Sequence, residues 1–127
     1  MKTIQIRVGS LQVEAELNDS PTARKIWDAL PIEGHANLWG DEIYFSIPVK
    51  AVSEQTARED VDVGELGYWP PGNAFYIFFG PTPVSSGSQP RAASPVNILG
   101  RVSGDATQFR AVRNGEKVII SRADDVK

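Results

Sequence analysis

Hydrophobic and polar residues alternate strictly at the start of the chain. Ile4, Ile6 and Val8 are separated by Gln5 and Arg7, and Leu11, Val13, Ala15 and Leu17 by Gln12, Glu14 and Glu16. A period of two marks a strand with one buried face. Gly9-Ser10 joins the two runs, a two-residue loop with the chemistry of a tight hairpin. The period then changes. Ser20-Pro21 offers a capping hydroxyl followed by proline at the first helical position, where a missing N–H does no harm. Ala23, Ile26, Trp27 and Leu30 recur at helical spacing until Pro31. One helix of about ten residues is predicted, its Trp27 stripe packed on the sheet.

Further along, Ala36 and Leu38, then Gly40-Asp41, then Ile43, Phe45 and Ile47 read as a second hairpin that Pro48 closes. Residues 49–62 are polar and charged without a clear period, which predicts a surface loop with no more than a helical turn. Residues 65–69 and 74–79 are predicted strands flanking the turn Pro70-Pro71-Gly72-Asn73. Residues 80–95 read as a long loop of proline, serine and glycine, 97–102 as a strand, 107–112 as a short helical turn, and 117–122 as the last strand. Roughly eight short strands and one helix predict a mainly β fold, a closed antiparallel barrel or a sandwich. The barrel is favoured because closure removes exposed strand edges.

Composition narrows the chemistry. The chain of 127 residues is 41% hydrophobic and 23% charged, near globular averages, and its length fits one domain over 1–127. With no cysteine there is no disulfide, thiolate metal site or cysteine nucleophile, and a single histidine disfavours a His-rich metal site. A net charge of −3 argues against nucleic acid as a partner. Residues 1–63 carry 6 basic and 11 acidic side chains, residues 64–127 carry 7 and 5. The uncharged stretch 66–90 is long enough for a membrane span, but five prolines break it, and the N-terminus shows no apolar leader. The expectation is a cytoplasmic protein with no metal, no cofactor and no membrane partner.

The same stretch holds six of the eleven aromatic residues. Alternation puts Phe75, Ile77 and Phe79 on one face of their strand and Tyr76 and Phe78 on the other. Rings on both faces fit either a ring-lined pocket or a central strand whose outer face the helix covers. The loop 80–91 offers Thr82, several serines and Arg91, which would suit a carboxylate or other anion, or be a solvated connection. Glu42 and Tyr44 share one strand face, as an acid/base pair or as a solvated surface. His35 has no predicted partner.

Three stretches together resemble the cyclophilins: Val13 to Ala23, a strand, acidic turn, Pro-Thr and helix; the aromatic strand Phe75 to Phe79; and Val96-Asn97-Ile98-Leu99-Gly100-Arg101-Val102. A closer similarity is to a minimal prokaryotic cyclophilin-like family of unassigned function. It is carried by Trp39-Gly40-Asp41-Glu42-Ile43-Tyr44-Phe45, by Val63-Gly64-Glu65-Leu66-Gly67-Tyr68-Trp69-Pro70-Pro71-Gly72, and by Phe78-Phe79-Gly80-Pro81-Thr82-Pro83. The resemblance implies a closed eight-stranded barrel with a groove on one wall. Cyclophilins carry a Phe-His-Arg run whose arginine assists rotation about the proline amide, against a barrier of roughly 18–20 kcal/mol. The corresponding region, 37–45, has no arginine, and the family's Gln-Gly-Gly-Asp run is absent too. The expectation is therefore a module binding a small molecule or peptide in a groove lined by Glu42, Tyr44, Trp69, Phe79, Thr82 and Arg91. The alternatives are a weak prolyl isomerase with Arg91 as a relocated cation, or a subunit-like partner in amide or lactam hydrolysis. A homodimer through an aromatic patch fits any of these.

Overall fold

The computed structural model describes residues 2–125. The first hairpin forms as its alternation predicts. β1 (Lys2–Val8) and β2 (Leu11–Leu17) pair antiparallel from Lys2 opposite Leu17 to Val8 opposite Leu11. Gly9 makes the turn at φ 60°, a left-handed value that glycine adopts without cost. Ile4, Ile6, Val13, Ala15 and Leu17 all face the core. Helix α1 (Pro21–Ala29) begins at its predicted cap, where the Ala23 N–H donates to Ser20 Oγ at 3.3 Å. Ile26 is buried against the barrel. Trp27 lies at the rim, with the Lys2 ammonium 4.9 Å and the Arg122 guanidinium 4.7 Å from its ring.

The remaining strands are β3 (Ile32–His35), β4 (Asn37–Leu38), β5 (Glu42–Ser46), β6 (Arg58–Asp60), β7 (Glu65–Trp69), β8 (Ala74–Phe78), β9 (Arg91–Val102) and β10 (Lys117–Arg122). They form one curled sheet in the order β3-β10-β1-β2-β9-β7-β8-β5-β4, with β6 added beside β9. The mainly β class is as expected, with one helix and short 3-10 turns. The count rises to ten because Ile32–His35 forms β3 and 49–62 contributes β6; β9 also begins at Arg91, inside the expected loop. In one detail the expected closure differs: hydrogen bonds do not complete the ring. Its two terminal strands, β3 and β4, are consecutive in the chain, separated by Ala36. The seam is packed by the Phe45 ring, which lies so near Gly34 that a Cβ there would sit 2.6 Å from it.

β9 is the strand that organises the molecule. Its last residues pair with β2 and its middle with β7, and it bends at Gly100, whose φ is 147°. A Cβ at Gly100 would fall 1.8 Å from the Glu16 carbonyl oxygen, so only glycine fits. Asn97, fully buried, holds three parts of the chain together. Its Nδ2 donates to Thr22 Oγ1 of α1 at 3.0 Å and to the Val52 carbonyl at 2.9 Å, and its Oδ1 accepts the Glu54 N–H at 2.8 Å. A buried amide with its partners supplied fixes the segment after β5 without secondary structure of its own.

The main core fills the inside of the curl, where Phe45, Leu66, Tyr68, Phe75, Ile77 and Phe79 meet. A smaller apolar cluster, Val61, Phe78, Ala92 and Val96, lies on the outer face of the same wall. The expectation that the helix covers the outer face of the aromatic strand is corrected: the first half of β9, with β6 beside it, covers that face. No helix among the described residues is long and apolar enough to cross a membrane.

Candidate functional site

The outer wall is built by strand register. β5 and β8 pair with Tyr44 opposite Tyr76 and Glu42 opposite Phe78, so these four side chains share the outward face. Tyr76 is sandwiched, its ring stacked on Tyr44 at 5.4 Å and on Phe78 at 5.7 Å. Trp69, the last residue of β7, rests one side of its indole on Gly72, where a Cβ would come within 2.8 Å of the ring. Trp39 enters from the turn between β4 and β5. Ala92, Ala93 and Ser94 of β9 are too small to fill the space opposite these rings. Between them is a cavity of about 280 Å³. A second, more open concavity of about 630 Å³ adjoins it, shares Trp69 and Ser94, and continues past Pro70, Pro71 and Pro95 to Val52 and Ser53.

Among the described residues, Glu42 is the one acidic side chain lining the first cavity. It is only 2% exposed, and its Oε1 is buried without a hydrogen-bond partner. Desolvation by burial pushes its pKa up to about 8. At neutral pH the group is therefore largely a neutral acid, able both to donate and to accept. Tyr76 is pushed up to about 12, first by burial and then by the charges of Glu42 and Tyr44. The other buried glutamate of the outer wall, Glu65, is differently placed. It pairs with Arg58 at 2.9 Å and accepts the Asp62 N–H at 2.8 Å.

Of the residues expected at the groove, Glu42, Tyr44 and Trp69 come together in this cavity. Three do not. Phe79 points into the barrel and packs on Phe109 at 6.2 Å, because the period of two places it with Phe75 and Ile77. Thr82 is buried in the loop after β8, its hydroxyl donating to the Arg91 carbonyl and its N–H to Ser85 Oγ at 2.9 Å. Arg91 is turned to β6, 3.3 Å from Glu59 and 3.9 Å from Asp60. His35 is exposed on β3 and lies outside the cavity. Trp39, Tyr76 and the small residues of β9 were not foreseen. For Tyr76 the signal was present: it shares a face with Phe78 and opposes Tyr44 once the two strands pair.

A family model described as "Cyclophilin-like" matches residues 2–121. The chain belongs to the cyclophilin-like family. Among solved structures, it is similar to the hypothetical protein AF2241 from Archaeoglobus fulgidus, determined in solution, at 41% identity and a TM-score of 0.81. That similarity covers 96% of this chain and 95% of the archaeal one. No curated protein matches the chain. In this cyclophilin-like chain, what β5 presents to the cavity is Glu42 and Tyr44. Among the described residues, no arginine, lysine or histidine lines the cavity.

Proposed function

We propose that this cyclophilin-like barrel is a binding module that takes a small ligand or peptide segment on its outer wall. The observation that carries the reading is Glu42, whose Oε1 is buried without a partner and whose side chain lines a cavity walled by aromatic rings. An orphaned buried acceptor costs roughly 1–3 kcal/mol, and a ligand donor seated there would recover it. Ring-lined cavities with few polar groups are the usual form of small-molecule sites. The prolyl-isomerase alternative loses its support in the groove, since Arg91 is engaged with Glu59 and Asp60 instead.

The test follows the Trp39 and Trp69 indole N–H signals by NMR while small-molecule fragments and an Ala-Pro-Phe peptide are added. Perturbation at these two indoles, weakened in Tyr76→Ala, is the expected result. Fragments and peptide that leave both indoles unmoved would end the reading. Faster cis/trans exchange of the peptide that Arg91→Ala abolishes would restore the isomerase instead.

A further inference from the structure

The cavity's lining also bears on the chemical class of its ligand, an inference that rests on the binding reading above. Four electron-rich rings line it, Trp39, Tyr44, Trp69 and Tyr76; Tyr76 has both faces stacked, which leaves the faces of the other three to attract positive charge. The one ionisable group besides the two phenols is Glu42, and no cationic side chain among the described residues lines the cavity. Nearby, Asp41 is held by Arg110 at 3.6 Å, and Glu65 by Arg58, so these arginines are already engaged. Of these three acids, Glu42 alone lacks a counter-ion and lacks a donor. A volume of about 280 Å³ is at the lower edge of drug-sized sites, roughly 300–1,000 Å³, and suits a head group rather than a whole metabolite. The adjoining concavity across Trp69 has room for the remainder.

We propose that the cavity binds an organic cation, an alkylammonium or guanidinium head group placed against Glu42 and among the rings, with the ligand's body lying over Trp69. Any such head group would supply the missing counter-charge, and one bearing N–H groups the missing donor as well. Its binding requires Glu42 as the anion, so it expels the proton that burial favours. The groups facing Glu42 are Tyr44 on β5 and Tyr76 on β8, while β9 brings only Ala92, Ala93, Ser94 and Val96 to the lining. Tyr76 stays neutral below pH 9, because burial pushes its phenol upward. The pH response of binding in that range accordingly reports Glu42.

The experiment titrates the protein with choline and with its uncharged isostere 3,3-dimethylbutan-1-ol, reading the Trp39 and Trp69 indole signals. The expected result is choline binding at least tenfold tighter than the alcohol. Its affinity should rise roughly tenfold from pH 7 to pH 9, as a carboxyl with pKa about 8 ionises. Glu42→Gln should bring choline to the level of the alcohol and flatten the pH response. Trp69→Leu should weaken choline more than the alcohol, a second variant that does not depend on Glu42. Butylamine against N-acetyl-lysine methylamide distinguishes the two sources: a gain for the latter marks a peptide side chain, equality a free amine. Equal binding of choline and the alcohol, or propionamide binding that weakens above pH 8, would overturn the cation and leave a site for neutral ligands. Failure of every compound at both indoles would overturn the binding reading itself.

Discussion

Glu42 and Glu65 lie on the same outward face of the same wall, on β5 and β7, and are equally withdrawn from water at 2% and 5% exposure. Their surroundings differ. Around Glu65 the chain itself supplies an arginine and a backbone N–H, whereas the far oxygen of Glu42 is left without either. Burial of a carboxyl is therefore not what marks a site in this barrel. At the Glu65 end the chain has completed its own electrostatics, and at the Glu42 end it has left the completion to something else. The cavity lies at the second end.

Three variants sharpen that contrast, and the largest effect should come from Glu42→Gln. In the fold the Glu42 pKa is about 8 against an ordinary 4.5. The folded protein therefore holds a proton between those values that the unfolded chain has lost. Stability from this group is fully present below pH 4.5 and declines as pH rises to 8. Removing the ionisable group should therefore stabilise the protein by about 2–3 kcal/mol at pH 9 and change little at pH 5, as measured by urea unfolding at the two values. A variant that is less stable than the parent at pH 9 would mean that Glu42 is not an unpaired buried acid.

Arg58→Ala should act in the opposite sense. It takes the nearer of two arginines from a buried carboxylate, leaving Arg101 at 4.0 Å, and because Arg58 is itself half exposed the loss should be about 1–2 kcal/mol at pH 8. No loss in the same unfolding measurement would make the two glutamates equivalent and the comparison empty. The smallest effect is expected for Arg91→Ala, whose side chain is 46% exposed and pairs with acids 38% and 70% exposed. Such surface pairs contribute about 0–1 kcal/mol. Choline titration of this variant should match the parent, and a tenfold tighter affinity, from loss of a repelling guanidinium, would put Arg91 back in the groove.

Much of this was legible in the chain, for identifiable reasons. The first hairpin, α1 and the last strand follow from periods of 2 and 3.6 that tertiary packing did not override. The two faces of β8 follow from alternation alone, and so does the shared face of Glu42 and Tyr44. β6 was invisible because Arg58-Glu59-Asp60 is uniformly charged, so its pairing comes from the neighbour β9 and not from any pattern of its own. The first half of β9 looked like loop because small residues and Pro95 interrupt it. Phe79 lies inside and not in the groove because alternation sets it with Phe75 and Ile77. That the Oε1 of Glu42 lacks a partner depends on Tyr76, Trp39 and β9 arriving together, which no local pattern encodes.

The way Asn97 secures the segment after β5 has a consequence for how this barrel can diversify. The amide reaches the Val52 carbonyl and the Glu54 N–H, which are main-chain groups that any residue provides. The side chains of Val52 and Ser53 take no part in that anchorage, and Val52 is 81% exposed above the second concavity. Replacing them would leave the support untouched while reshaping the surface over it. Half of the groove is in this sense interchangeable: new specificities can be written there without renegotiating the fold.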